Sequence, residues 1–469
     1  MDFIATFKTN KLFYSYFVIG LLLFSVYYID IWHTPNPISR ALPVLTFNES
    51  ETLEITKYAE VGLDKSKVGE KYFSDKAPLP TLITIPFYEL ADAIGLSEWK
   101  YLEKEYKGAP KWYLQLSSII FLGSILTACI PFVLMILISF NISTNYLFKP
   151  TLIVLAFFGS FLFVFNGTFF NHLFAGLFLV LSVFYLKNKP NPFLSGLFAG
   201  MAFLSEYTFG ILFVLIPLMQ FLTNKKDIVK WSIKFGLGLI PALLIMGWYN
   251  YYTTGNPFEF IFYFTDYEEF SKGIKQNYGF NHPTVDSVLG LLISPYMGLF
   301  IYCPALIYYL IGIKRNQELS YKNPVLIIFV AFFILVSSYF IWWGGYSWGP
   351  RYLLGAACLI VTYAAANFDQ FKMKWLVAGV LFLSFLHNWS AKITQVFLVP
   401  DRMSPQGEAS FPFKDVVLKA FNEETFNQNN LLTQFFKIDP LKSGLIFLLL
   451  FILWVVGLEI IYRKKVLKL

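Results

Sequence analysis

Long apolar segments recur from about residue 12 to residue 462 of this 469-residue chain, and they constrain its fold more than any other feature. A helix needs roughly 20 apolar residues to cross a hydrocarbon core about 30 Å thick. Hydrophobic residues make up 56% of the chain and charged residues only 14%, whereas soluble domains have about 25% charged residues. The sequence therefore predicts an all-α polytopic membrane protein with about 12 transmembrane helices and excludes a soluble globular enzyme. The apolar runs 151–169 and 287–313 are each predicted to form a single span.

The formal net charge of +7 does not indicate nucleic-acid binding, because the basic residues form short clusters beside the apolar runs. The three cysteines, Cys129, Cys303 and Cys358, lie inside predicted spans and lack the spacing of metal ligands. The sequence therefore supports neither a disulfide framework nor a zinc site.

The basic clusters also predict the topology. With a cytoplasmic amino terminus, every inside segment carries lysine or arginine, which satisfies the positive-inside rule and places both termini in the cytoplasm. We therefore predict one transmembrane domain, 1–469, with a first outer loop at 33–112 and further outer loops at 253–286 and 397–442. Within the first loop, residues 50–62 are predicted to form short helices on the membrane surface.

The main candidate catalytic residues of the first loop lie in 61–90. This stretch contains Asp64, Asp75 and Lys76 before a proline-rich apolar segment. A carboxylate here could act as a general base on an acceptor hydroxyl. Lys76 could pair with a phosphate as a point charge. The alternative is a solvated loop with ordinary ion pairs.

His172 and Glu206 occur at the same predicted depth, near the outer ends of two spans. They are candidate substrate-binding residues. The alternatives are a hydrogen-bonded structural histidine and a glutamate that caps the helix beginning near Thr208.

The segment 339–352, YFIWWGGYSWGPRY, contains two adjacent glycines and several aromatic rings at a membrane boundary. A tight turn with an aromatic belt would explain this composition. Arg351 could instead bind a lipid phosphate through its planar fork. Trp343, Trp348 and Tyr352 beside it could contact a sugar.

The sequence has no Walker loop, HExxH, GxSxG or strand-linked GxGxxG motif. ATP hydrolysis, zinc proteolysis, serine hydrolysis and dinucleotide chemistry therefore have no support. Any reaction must use a substrate that is already activated.

Several segments together resemble the GT-C class of polytopic glycosyltransferases, in particular the bacterial family 39 proteins that are similar to protein mannosyltransferases. In the first loop the resemblance rests on the pair Ser39–Arg40 and on GLDKSKVGEKYFSDKAP at 62–78. The glycine usual after the final proline is Leu79 here. Further matching segments are FNH (170–172), FLSEYTFG (203–210), TTGNPFEF (253–260), GFNHP (279–283), LLISPYMGLFIYCPAL (291–306) and WWGGYSWGPRYLL (342–354).

One departure concerns the catalytic acid. Related mannosyl and aminoarabinose transferases carry an Asp-Glu pair early in the first loop, and the corresponding FNESETLE (47–54) has no aspartate. The resemblance therefore favours Asp64 first and Asp75 second as the catalytic carboxylate. It also makes Lys76 and Arg351 candidate ligands of the donor phosphate. Candidate substrate-binding residues are Arg40, Tyr72, His172, Glu206, Trp343, Trp348 and Tyr352.

The resemblance implies inverting transfer of a sugar from a polyprenyl-phosphate-linked donor to a lipid, glycan or protein acceptor, on the outer side of the cytoplasmic membrane. A divalent metal ion is compatible with this chemistry, but no residue pattern requires one. The alternative function is a polytopic transporter, a flippase for lipid-linked glycans or a glycan polymerase. A transporter predicts polar residues near mid-membrane and repeated architecture, whereas this chain has its polar groups at the outer rim.

Overall fold

The computed structural model describes residues 10–31, 33–97, 108–315, 319–394 and 411–468. In this part of the chain the fold is helical apart from one two-stranded hairpin, which confirms the predicted all-α class. Residues 98–107 of the first loop and 397–410 of the third outer loop lie outside the described residues.

The elements of the first half of the chain are α1 (Lys11–Val26), α2 (Pro35–Ser50), β1 (Lys65–Val68), β2 (Lys71–Ser74), α3 (Leu79–Ala93), α4 (Lys111–Ser124), α5 (Ile130–Ile142), α6 (Lys149–Phe158), α7 (Phe161–Phe165), α8 (His172–Lys187), α9 (Pro192–Ser205), α10 (Leu212–Thr223) and α11 (Ile228–Thr254). Those of the second half are α12 (Glu268–Lys275), α13 (Val285–Ile293), α14 (Leu299–Tyr302), α15 (Ala305–Arg315), α16 (Pro324–Ser337), α17 (Leu354–Ala364), α18 (Lys374–Ile393), α19 (Lys419–Asn422), α20 (Leu431–Phe436) and α21 (Pro440–Tyr462). Short 3₁₀ helices lie at Thr56–Tyr58, Tyr207–Ile211, Ile261–Phe264, Asn277–Gly279, Arg351–Leu353 and Ala365–Gln370, and π-helical turns at Ile125–Cys129, Phe413–Leu418 and Arg463–Leu467.

Four helical runs of the described chain are long and apolar enough to cross a membrane individually. They are Lys111–Ile142, Ile228–Thr254, Lys374–Ile393 and Pro440–Leu467. Seven shorter apolar helices of 10–17 residues accompany them. The chain is thus a polytopic membrane protein, while the count of about 12 spans and the cytoplasmic location of the termini stay predictions.

Two apolar runs are not the single spans that hydropathy predicts. The run 151–169 breaks between α6 and α7 at Gly159 and Ser160. The run 287–313 breaks into α13, α14 and α15, because Pro295 and Pro304 lack a backbone N–H and force the residues before them out of helical geometry.

Of the short helices predicted within residues 50–62, the structure has one 3₁₀ helix, Thr56–Tyr58. The longer helix of this region, α2, lies earlier in the chain, and two prolines occupy its first turn, where a backbone N–H has no partner in the helix. It ends at Glu51, which adopts the left-handed conformation at φ 54°.

The chain forms two compact units. We call Met1–Tyr28, Cys129–Asn166 and His282–Leu469 the terminal unit, and Ile29–Ala128 with Gly167–Asn281 the inserted unit. In the terminal unit an aromatic cluster joins distant helices: Phe451 of α21 lies 4.3 Å from Phe385 of α18 and 4.9 Å from Phe158 of α6, between ring centroids. Such contacts replace the hydrophobic effect, which is weak between helices in lipid.

The inserted unit has an apolar core beneath the hairpin, formed by α2, α3, α4 and β2. Its buried members include Leu45, Phe73, Tyr88 and Ile119. This core fixes the hairpin against α2.

Glycines let α9 and α11 of the inserted unit approach closely. A Cβ atom on Gly196 of α9 would lie 2.0 Å from the Phe235 carbonyl oxygen, and one on Gly238 of α11 would lie 2.2 Å from the Phe193 carbonyl oxygen. Small residues bring helix backbones together in membranes in this way.

The Gly196→Ala variant should therefore lose stability, by about 1–3 kcal/mol of unfolding free energy, because the methyl group would overlap backbone atoms. Thermal unfolding of the purified protein in detergent measures the change. Gly236→Ala is the matched control on α11, since an added Cβ there meets no atom within 4 Å. Equal midpoints for the two variants would contradict the close packing.

Candidate active site

The hairpin of the inserted unit brings two first-loop carboxylates together. Gly69, at φ 60°, supplies the left-handed conformation for the two-residue turn between β1 and β2. The antiparallel register pairs Lys65 with Ser74 as the last pair of the ladder. Asp64 directly precedes β1 and Asp75 directly follows β2, so the two aspartates emerge side by side.

Lys76 lies between these carboxylates. Its Nζ is 2.9 Å from Asp64 Oδ2 and 3.0 Å from Asp75 Oδ2. The Asp64 side chain is 31% exposed, against 15% for Asp75 and 19% for Lys76. These three charged groups form one partly buried cluster. The alternative of a solvated loop with ordinary ion pairs would instead have separate, exposed pairs.

Burial raises the pKa of the Asp75 carboxyl. Lys76 opposes this shift, Asp64 adds to it, and a hydrogen bond from Ser39 opposes it. Burial alone would lower the pKa of the Lys76 ammonium, but the charges of Asp64 and Asp75 outweigh burial and hold that pKa above its usual value. Lys76 therefore stays protonated at neutral pH, while Asp75 holds its proton more readily than an exposed aspartate does.

Helix α2 holds the cluster in place through hydrogen bonds of Ser39. Ser39 Oγ donates to Asp75 Oδ1 at 3.1 Å and lies 2.8 Å from Ser74 Oγ. The Ser74 hydroxyl also accepts the Lys76 backbone N–H at 3.3 Å. The two serines thus fix the turn that follows β2.

Arg40, the next residue of α2, is buried and extends the site to α8. Its Nη2 donates to Asn171 Oδ1 at 2.7 Å, and its Nη1 donates to the side chain of Asn36. Asn171 in turn donates to the Ser205 carbonyl oxygen at 2.9 Å and to Glu206 Oε2 at 3.4 Å. A continuous polar network therefore joins the first loop to the end of α9.

His172 and Glu206 form a direct pair in this network. His172 Nδ1 lies 2.8 Å from Glu206 Oε2, and because a carboxylate only accepts, Nδ1 carries the proton. The interpretation of Glu206 as a side-chain cap is wrong, since that side chain makes no capping bond to the following 3₁₀ helix. It binds His172, Asn171 and the Thr208 hydroxyl instead.

Tyr207 connects this pair back to the cluster, because its hydroxyl donates to the Lys76 carbonyl oxygen at 3.3 Å. Tyr207 and Asn171 were not among the residues predicted from the sequence. Both directly adjoin predicted ones, Glu206 and His172, and both lie in segments that carry the family resemblance, FNH (170–172) and FLSEYTFG (203–210). Those two signals could have identified them. Tyr72 packs elsewhere, with its ring 5.3 Å from Lys65 Nζ.

The other predicted residues belong to the terminal unit. The Arg351 guanidinium carbon lies 5.6 Å from the centre of the Tyr352 ring. Trp348 is buried, packs 5.0 Å from His387 between ring centroids and donates to Asn388 Oδ1 at 3.2 Å. This burial favours a packing role for the Trp348 ring. Trp343 is half-buried, and its ring centroid lies 5.7 Å from that of Trp342.

No group of three or more histidine, cysteine, aspartate or glutamate side chains that could hold a metal ion occurs among the described residues. In that part of the chain the site offers one pair of carboxylates, Asp64 and Asp75, with Lys76 between them.

The fold is similar to that of one protein of known structure. The chain aligns with ArnT from Cupriavidus metallidurans in the apo state, at a TM-score of 0.51 and 12% identity, over 98% of this chain and 78% of the other. A second crystal structure, of the same protein bound to undecaprenyl phosphate, aligns at a TM-score of 0.49 and 13% identity, over 97% of this chain and 77% of the other. ArnT is a GT-C glycosyltransferase.

The chain has a GT-C fold. This confirms the predicted fold class, whereas the narrower resemblance to family 39 is not confirmed. No family model and no curated protein matches the sequence.

Replacing Lys76 with glutamine should destabilise the protein by up to about 3 kcal/mol at neutral pH, because two partly buried carboxylates lose their cation. The raised pKa of Asp75 means that the folded state holds this proton more tightly than the unfolded state, so its contribution to stability falls as the pH rises. Losing Lys76 raises that pKa further. The deficit relative to wild type should thus be larger at pH 8 than at pH 5.

Denaturation at the two pH values measures this difference. Lys71→Gln is the control, since Lys71 is 64% exposed where it pairs with Glu54, and its loss should cost less than about 1 kcal/mol. A Lys76→Gln deficit that is small and independent of pH would show that the cluster contributes no electrostatic stabilisation.

Proposed function

We propose that this protein is a glycosyltransferase that moves a sugar from a polyprenyl-phosphate-linked donor to a lipid, glycan or protein acceptor. The observation that carries the proposal is the Asp64–Lys76–Asp75 cluster, built by the hairpin in a chain with a GT-C fold. We place the reaction at the outer face of the cytoplasmic membrane, where the basic clusters predict the first loop to lie.

In the proposed reaction a first-loop carboxylate accepts the proton of an acceptor hydroxyl. The acceptor oxygen then forms a bond to the anomeric carbon, and the bond from that carbon to the phosphate oxygen breaks, with inversion. The polyprenyl phosphate leaves with the electron pair. A leaving group that is already activated explains why the sequence needs no nucleotide motif.

Asp64 is our first choice for the base and Asp75 the second. The Asp64 side chain is about twice as exposed as that of Asp75, so an acceptor reaches it more easily. Asp75 accepts bonds from both Ser39 and Lys76, which suits a residue that holds the lysine in place. The raised pKa of Asp75 would make it the stronger base once it is ionised.

Lys76 and Arg351 are the proposed cations for the departing phosphate. The fixed charge of Lys76, held by two carboxylates, is available without reorganisation when negative charge develops on the leaving group. We assign Arg351 the same role from its position at a predicted outer boundary. The paired His172 and Glu206 would bind polar groups of the donor or acceptor.

A transporter or flippase is the competing function, and two buried lysines at helix ends bear on it. Lys392, in the last turn of α18, donates to the Val164 and Asn166 carbonyl oxygens. Lys149, at the start of α6, donates to the Ser143 carbonyl oxygen at 2.9 Å. Both satisfy backbone carbonyls at the ends of helical segments, which is a structural role, so they do not support the transporter alternative.

The Asp64→Asn and Asp75→Asn variants test the choice of base. Asparagine keeps the shape but cannot accept the proton, so the variant that loses the base should turn over the donor about 10² to 10⁴ times more slowly. Membranes from cells that lack the gene, supplemented with each purified variant and a panel of radiolabelled polyprenyl-phosphate sugars, give the rate from label transferred to acceptor.

Glu70→Gln is the control for these two variants, because Glu70 is exposed in the turn of the same hairpin. It should keep the wild-type rate. Wild-type rates in both aspartate variants, with the fold intact, would refute the assignment. Failure of the wild-type protein to consume any donor would refute sugar transfer itself.

The Arg351→Lys variant should raise the donor concentration needed for half-maximal rate in the same assay by about tenfold or more. Lysine keeps the positive charge but loses the planar fork that donates two parallel hydrogen bonds to a phosphate. Arg315→Lys is the comparison, since Arg315 donates to the Gln370 carbonyl oxygen. If Arg351→Lys reaches half-maximal rate at the wild-type donor concentration, Arg351 does not bind the phosphate. The turn with an aromatic belt would then explain the composition of residues 339–352.

A further inference from the structure

Helix α11 of the inserted unit is the most exposed of the long apolar helices. Only 22% of its most apolar 18-residue window is buried, compared with 39–67% in the other three long runs. Its buried face, which contains Gly238 and Ala242, packs against α9. The opposite face is open along its whole length and consists of Val229, Ile233, Leu237, Ile240, Leu244, Trp248 and Tyr251.

The length and ends of this exposed face match a bilayer. Lys230 and Trp248 are separated by 18 residues, which is about 27 Å of helix and close to the thickness of a hydrocarbon core. Trp248 and Tyr251 at one end suit a membrane interface. Lysines at the other end can extend their ammonium groups to the opposite interface.

A groove of about 660 Å³ lies at the lysine end of α11. Lys225, Lys230 and Lys234 line it together with Ile233 and Leu237. The groove thus presents ammonium groups beside aliphatic side chains that continue into the exposed face.

The charge of the groove is not neutralised within the described chain. One acidic residue, Asp227, lines it against the three lysines, and none of these lysines is within ion-pair distance of a described carboxylate. Lys225 lies over the Phe221 ring, with 5.0 Å from its Nζ to the ring centre. An anion with an apolar tail complements this surface in both charge and polarity.

We propose that this groove, which we call the α11 groove, binds the headgroup of an anionic phospholipid. The lysines contact the phosphate, and an acyl chain lies along the exposed face of α11 from Ile233 towards Leu244. A free phosphate would leave these aliphatic side chains uncovered, so we commit to the lipid. This proposal does not depend on sugar transfer, because the groove contains none of the residues assigned to that reaction.

Native mass spectrometry of the purified full-length protein tests the proposal. The protein is titrated with phosphatidylglycerol and separately with phosphatidylcholine of the same acyl chains. We expect tighter binding of the anionic lipid, and a preference that falls at least about fivefold in the triple variant Lys225→Gln, Lys230→Gln, Lys234→Gln, given that each lysine near an anionic surface contributes about that factor. All three lysines are exposed, so the variant should fold.

The matched control is the triple variant Lys57→Gln, Lys71→Gln, Lys272→Gln, which removes the same charge from exposed positions outside the groove. It should keep the preference for phosphatidylglycerol. Equal losses in both triple variants, or no preference in the wild type, would overturn the proposal. Displacement of the lipid by millimolar inorganic phosphate would show that the groove binds only the phosphate group, and would likewise overturn it.

Discussion

The register of one short hairpin brings the candidate catalytic carboxylates of this protein together. Because Lys65 pairs with Ser74, the residues just outside the ladder, Asp64 and Asp75, emerge together and enclose Lys76. A shift of one residue would turn each side chain to the opposite face of the strand and separate the two carboxylates. The buried Phe73, anchored in the core of the inserted unit, opposes such a shift.

The helices around the hairpin hold it in that position. Ser39 and Arg40 are adjacent in α2; Ser39 donates to Asp75, and Arg40 donates to Asn171. The carboxyl end of α11 holds the segment after α2, since the Tyr252 hydroxyl lies 2.9 Å from Thr52 Oγ1 and accepts the Leu53 backbone N–H. Helix α11, which has an exposed apolar face, therefore also supports the segment that leads into the candidate site.

Hydropathy predicted the fold class well, because the length and composition of a membrane span are local properties of the sequence. It failed where prolines break an apolar run, as at Pro295 and Pro304. Hydropathy averages the polarity of the residues and does not take into account that proline lacks a backbone N–H. The hairpin was not predicted from the sequence, although Gly69 readily adopts the left-handed conformation that a two-residue turn needs. The first-loop carboxylates could be chosen from the sequence, but the bond from Arg40 to Asn171 joins residues 131 positions apart and needs the tertiary structure. The burial of Trp348 is likewise a property of packing and not of its local sequence.

Mass spectrometry of lipid-linked and envelope glycans in cells that lack this gene tests the central claim of sugar transfer most directly. The account predicts glycans that lack one sugar residue and accumulation of the matching polyprenyl-phosphate monosaccharide, both reversed by the wild-type gene. Unchanged glycans, or accumulation of a complete lipid-linked glycan on the cytoplasmic leaflet, would contradict the account, and the second result would favour a flippase.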